Sequence, residues 1–243
     1  MEEKIYVFWH ICGINHWKDI AADQYKTMES SELLDRAEQV NVTFLGKDRS
    51  EIVWLEDKSK KINVNNYSPN ILHYERMCLN GLRDWSEQNN GLVLYIHGKG
   101  VSRTRQKRNV WGWRKMLEYF NVENHDRCTE EIKCLDVLGG NVCVAKNRSL
   151  EVPGHCMHYS GNFWWSRASH VRKLPRIPED IRMEIHGNYI KYCEYWLLQN
   201  FPNIRCGVAF KTKAPHYYEF PPEPDFRKKW CDRQTTTTLF NSY

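Results

Sequence analysis

The stretch Leu92-Val-Leu-Tyr-Ile96, running into His97-Gly98-Lys99-Gly100, sets the architecture expected of this chain. An apolar run without alternation is the pattern of a strand buried on both faces, and such strands belong to sheets covered by helices on either side. The residues before it predict a helix over 71–87, with Cys78, Leu82 and Trp85 on one face and Gln88-Asn-Asn-Gly91 as the stop. The residues after it predict a loop and then a helix striped by Trp113, Met116, Leu117 and Phe120, which leaves Arg114, Lys115 and Glu118 to face outward.

Toward the N-terminus, Lys4 to Cys12 is rich in β-branched and aromatic residues and ends at Gly13, so it predicts an opening strand. A helical stretch over 16–38 with a break at Ser30-Ser31, then strand character from Val40 to Leu45, completes a β-α-β unit. A weaker strand pair is expected over 51–55 and 61–64. Toward the C-terminus the pattern predicts a helix over 126–135, a strand over 136–145 kinked by Gly139-Gly140, an aromatic segment, helices over 166–174 and 187–200, and a last strand over 205–211. The chain therefore reads as an open mixed α/β sheet flanked by helices, one domain over 1–215 with a C-terminal extension over 216–243. Ligands of such sheets bind beyond the carboxyl ends of the strands. That rule nominates the loop after Cys12, the loop after Ile96 and the aromatic segment after Val144.

Composition agrees with a globular chain: of 243 residues, 41% are hydrophobic and 27% charged, which excludes collagen-like and disordered classes. No run approaches the roughly 20 apolar residues of a membrane span. Met1-Glu2-Glu3-Lys4 is an acidic start without a small-residue cleavage site, so the reading is a soluble, cytoplasmic protein. Nine cysteines, an odd number without paired spacing, fit reduced thiols. His155-Cys156-x-His158 lacks the second short-spaced pair that structural zinc needs, so no metal ligands are assigned. No Gly-x-Ser-x-Gly elbow is present.

Net charge is only +5, but Lys99, Arg103, Arg105, Lys107, Arg108, Arg114 and Lys115 place seven cations within seventeen residues with no acid among them. Two glycines around Lys99 let backbone approach a ligand, and the lysine suits a phosphate; the same loop also reads as a solvated basic turn. Tyr159-Ser160-Gly161-Asn162-Phe163-Trp164-Trp165 offers flat apolar faces beside hydroxyl and amide groups, the chemistry a sugar ring needs. Core packing competes for the two tryptophans, since neighbours in an extended chain point to opposite sides. Glu194, between Cys193 and Tyr195-Trp196, is a carboxylate in partly apolar surroundings and a general-base candidate, against the plainer reading of a helix-surface glutamate.

Ser30-Ser-Glu-Leu-Leu-Asp-Arg36, Tyr95-Ile-His-Gly-Lys-Gly-Val-Ser102, Trp113-Arg-Lys-Met-Leu-Glu-Tyr-Phe120 and His158-Tyr-Ser-Gly-Asn-Phe-Trp-Trp165 occur in that order within residues 4–210. Together they resemble the GT-A-type nucleotide-sugar glycosyltransferases of bacterial polysaccharide clusters and large DNA viruses, some of which transfer rhamnose or related sugars. The resemblance implies a GT-A-like fold, a nucleotide-sugar donor and a glycan or glycoprotein acceptor. It places the nucleotide at Cys12 and Gly13, with Glu75 as a base or ribose contact. It places the donor diphosphate at His97, Lys99 and Arg103, and the acceptor or donor sugar at Ser160, Asn162, Trp164 and Trp165. The family's Asp-x-Asp metal motif falls where this chain has His97-Gly98-Lys99. No cofactor is therefore the first expectation, with manganese or magnesium as the alternative, and Lys99 and Arg103 take the role of neutralising the leaving diphosphate. Glu194 would deprotonate the acceptor hydroxyl in an inverting transfer, with Asp136 as the second candidate base. Two rivals carry over: a basic and aromatic nucleic-acid-binding module built on Lys99 to Lys115 with Trp111 and Trp113, and an inactive glycan-binding relative.

Overall fold

The structure is a computed structural model that describes residues 3–104, 108–145, 156–178, 188–199 and 204–210. The elements in chain order begin β1 (Ile5–Cys12), α1 (Trp17–Ser30), α2 (Leu33–Arg36), β2 (Ala37–Leu45), α3 (Val53–Glu56), β3 (Ile62–Ser68), α4 (Arg76–Gln88) and β4 (Leu92–His97). They continue with α5 (Arg108–Glu118), α6 (His125–Glu131), β5 (Val137–Gly140), β6 (Val142–Ala145), β7 (Cys156–Tyr159), β8 (Trp164–Arg167), α7 (Ala168–Val171), α8 (Asn188–Tyr195) and β9 (Cys206–Phe210).

Strand β4 is sealed on both faces, as its unbroken apolar run requires. Leu92, Leu94 and Ile96 enter a core shared with Trp9, Phe44, Trp113 and Leu117, whereas Val93 and Tyr95 enter a second core with Phe8, Leu79, Leu82 and Trp196. The first core is closed by α1, α2, α3, α5 and α6 and the second by α4, α7 and α8, so helices cover both sides of the sheet. Seven strands form it in the order β3-β2-β1-β4-β8-β5-β9; only β8 runs antiparallel to its neighbours, and β6 and β7 make a separate antiparallel ribbon. The chain leaves β1 toward β2 and β3 and then returns to the other side of β1 with β4. The seam between β1 and β4 is thus the switch point of an open α/β sheet.

Several expectations need correction. Residues 51–55 form helical turns leading into α3 instead of a strand, because Ile52 and Leu55 fall three apart and both bury into one core. The strand expected over 61–64 runs on through the polar residues to Ser68 in β3. Residues 166–167 belong to β8, so the following helix is only the single turn of α7. Gly139-Gly140 does mark a break, but the chain turns at Asn141, whose φ of 50° is left-handed, and splits the expected strand into β5 and β6. Arg114 and Glu118 do not face outward; each is 1% exposed. Arg114 pairs with Asp23 of α1 at 2.7 Å and Glu118 at 3.1 Å, and Lys115 reaches the same two carboxylates at 2.8 and 2.9 Å. Residues 211 and 216–243 lie outside the described residues, as do Arg105 and Lys107. No helix among the described residues is long and apolar enough to cross a membrane.

Candidate active site

A cleft of about 280 Å³ opens beyond the carboxyl ends of β1 and β4, at the switch point. Its floor comes from the strands themselves. His10 and His97 are paired in register on β1 and β4 and so lie on the same face of the sheet, the face covered by α4. Glu75, at the start of α4, and Tyr74 before it form the adjoining wall, with Cys12 and Ile14 beside them.

Glu75 is fixed by two donors. The Tyr95 hydroxyl donates to its Oε2 at 2.9 Å and the Asn162 amide donates to the same oxygen at 2.5 Å. Because the carboxylate is engaged there, it makes no side-chain cap to its own helix, though it sits at the helix's positive end. His97 has one ring nitrogen, Nε2, at 2.8 Å from the Gly161 carbonyl, which makes that nitrogen the donor when the ring is neutral. Burial, helped by Lys99, pushes His97 down to about 3, and burial pushes His10 down to about 4, so both rings are neutral at neutral pH. Burial likewise pushes the Cys12 thiol up to about 11, which makes it a lining group and not a nucleophile.

The loop 98–103 forms the rim. Gly100 has φ of 96°, a conformation that strains side-chain-bearing residues, and a Cβ there would lie 2.8 Å from Val110 Cγ1; the glycine lets the loop lie on α5. Lys99 Nζ sits 4.1 Å from the centre of the Trp113 ring, a cation–π contact to an indole that is 2% exposed. Neither Lys99 nor Arg103 is ion-paired to a carboxylate among the described residues, and both line the cleft. Glu194 of α8 lines it too, with Oε2 at 4.0 Å from His158 Nε2 on β7.

The residues read from the sequence thus divide. Cys12, Glu75, His97, Lys99, Arg103 and Glu194 meet around one cleft. Gly13 is not among the lining residues; its N–H donates to the Leu45 carbonyl at 2.5 Å. Asp136 does not belong to the site: it precedes β5 at the amino end of the parallel strands and is held by the Arg205 side chain at 3.0 Å and by the Arg205 N–H. Burial acts to raise its carboxyl, but those bonds outweigh it and hold the group below the usual range. Ser160, Asn162, Trp164 and Trp165 do not line the cleft, and all four are buried. Trp165 enters one core and donates to the Asn121 carbonyl at 2.9 Å, while Trp164 enters the other, stacked on Tyr95 at 5.0 Å and donating to Asn162 at 2.8 Å. Asn162, itself bonded by Trp164, holds Glu75, the neighbouring Gly161 carbonyl holds His97, and none of the four buried side chains offers an open face to a sugar.

Residues 7–190 match the family model described as Domain of unknown function (DUF8361). The chain belongs to that family. No curated protein matches it. The DUF8361 match contains every cleft residue from His10 to Trp113 and ends before Glu194. Sequence reasoning missed His10, Tyr74 and Trp113 of this DUF8361 chain as cleft residues. His10 looked like one polar residue in an opening strand, and only the register with His97 places it on the floor.

Proposed function

We propose that this chain is a glycosyltransferase that moves a sugar from a nucleoside-diphosphate donor to a hydroxyl of a glycan or glycoprotein. The observation that carries this reading is the pairing, across one cleft at the sheet's switch point, of two cations that make no ion pair among the described residues, Lys99 and Arg103, with the carboxylate of Glu194. An open mixed sheet covered by helices on both faces is consistent with a GT-A-like fold.

In the proposed reaction the acceptor oxygen attacks the anomeric carbon while Glu194 takes its proton. The bond from that carbon to the diphosphate oxygen breaks, and its electron pair leaves on the diphosphate. Lys99 and Arg103 face the charge as it accumulates, and Trp113 holds the Lys99 ammonium at the rim beforehand. The residues present do not fit the divalent metal that the resemblance implies. The equivalent place holds a neutral imidazole already bonded to Gly161 and, after Gly98, a lysine, neither of which supplies the oxygen donors that manganese or magnesium takes. The nucleic-acid reading loses ground, because Arg114 and Lys115 are committed to Asp23 and Glu118 and Trp113 is buried.

A thermal-shift screen of nucleotide sugars and nucleoside diphosphates at fixed salt, with and without manganese, tests the reading. Stabilisation of several degrees by one nucleotide family without manganese is expected. No shift with any of them, together with salt-sensitive binding of long RNA or single-stranded DNA, would reverse it.

A further inference from the structure

Two hydrogen-bond acceptors face each other at the cleft floor. The His97 ring uses its Nε2–H on the Gly161 carbonyl at 2.8 Å, and burial keeps the ring neutral, pushed down to about 3, so its Nδ1 carries a bare lone pair. Glu75 accepts both of its hydrogen bonds, from Tyr95 and from Asn162, on Oε2. Its Oε1 stands 3.9 Å from His97 Nδ1, and neither atom has a hydrogen to offer the other. Both side chains line the cleft, 12% and 14% exposed, and neither acceptor is sealed from solvent. Two neutral donors and the first turn of α4 answer part of the Glu75 charge, but no cation of the described residues lies within ion-pair distance of it. Carboxylates this far out of water ordinarily have one.

The chemistry of that pair narrows what sits between its members. A phosphate oxygen would meet both acceptors with lone pairs of its own and the carboxylate with like charge, so a phosphate belongs with Lys99 and Arg103 at the rim. A hydroxyl has a single hydrogen and satisfies one acceptor while its oxygen crowds the other. A primary ammonium has three hydrogens, donates to Nδ1 and Oε1 together, and brings the positive charge that Glu75 lacks. We propose that His97 and Glu75 seat the primary ammonium of an amino sugar phosphate whose phosphate lies toward Lys99 and Arg103. The inference rests on the glycosyltransferase reading given above and on its cationic rim, and it moves His97 from the diphosphate to the amine of the sugar.

The test is calorimetric titration at pH 6.5, with a chelator present throughout, of glucosamine 1-phosphate, glucose 1-phosphate, N-acetylglucosamine 1-phosphate and inorganic pyrophosphate into the wild-type chain, Glu75→Gln and His97→Gln. The first variant keeps an oxygen for Tyr95 and Asn162 but loses the charge; the second keeps a donor for Gly161 but loses Nδ1. Melting temperatures check that each folds. The wild type should bind glucosamine 1-phosphate about tenfold more tightly than either of the other sugar phosphates, the worth of about one charge-assisted hydrogen bond. Glu75→Gln should erase that preference and His97→Gln should reduce it severalfold, while pyrophosphate binding is not weakened in either. The proposal is overturned if the wild type has no preference for the amine, or if the preference survives in Glu75→Gln; if that variant does not fold, survival in His97→Gln overturns it equally. Pyrophosphate failing to bind while the amine is still preferred would fault the rim and leave the seat standing; binding of none of the four would overturn both.

Discussion

At the scale of single residues, the charges of the cleft are set by burial more than by neighbours. His10 and His97 are held at about 4 and about 3, against 6.5 for an unperturbed ring. The unfolded chain therefore binds more protons than the folded one between those values, and stability rises with pH through that window. Stability should be full above about pH 6.5 and fall as the pH drops toward 4, by at most about 1.4 kcal/mol per pH unit for each ring. Urea midpoints at pH 7.5 and 5.0 check this, and His97→Gln should flatten the slope; an equal slope in that variant would assign the acid loss elsewhere. Glu194→Gln removes the proposed base without removing a cation, so transfer should fall at least about a hundredfold while donor affinity is kept. Single-turnover rates and equilibrium binding measured on one preparation would show whether chemistry alone is lost.

At the scale of elements, the rim depends on how loop 98–103 is seated on α5, and α5 on α1. Gly100→Ala places a Cβ 2.8 Å from Val110 Cγ1 at a φ of 96°, so it should destabilise the chain by about 1–2 kcal/mol and weaken anion binding together. Arg114→Met leaves Glu118 buried with only Lys115 to answer it, and should cost about 3 kcal/mol. The double variant Arg114→Met with Glu118→Met should be less destabilised than that single change, and a double loss equal to the sum of the two single losses would show that the buried pair is not coupled. These contacts also mark where sequence reading reached its limit. Strand β4 was legible because burial on both faces leaves a local signature, and so was the stripe of α5. Arg114 and Glu118 looked solvated because charges at i and i+4 usually are, and the partner that draws Arg114 inward, Asp23, comes from ninety-one residues away. The two tryptophans of β8 were read as opposite-facing, which holds, but the pattern carried no sign that both faces of that strand are interior.

At the scale of the whole molecule, the order β3-β2-β1-β4-β8-β5-β9 places the exits of β1 and β4 side by side, and most of the site follows from that one adjacency. Residues eighty-seven positions apart, His10 and His97, become one floor, and the loops after them become one rim. The strand order was not legible in the sequence, since it depends on which edges pair. Of the three loops nominated by the rule that ligands sit beyond carboxyl ends, those after Cys12 and Ile96 line the cleft, whereas Asp136 lies at the amino end of its strand. The central claim is that Lys99 and Arg103 hold a diphosphate at this switch point. Titration of inorganic pyrophosphate into the wild-type chain and into the double variant Lys99→Ala with Arg103→Ala tests it most directly. Saturable binding by the wild type that weakens about a hundredfold or more in the double variant is the predicted result; equal affinity in the two proteins would contradict it.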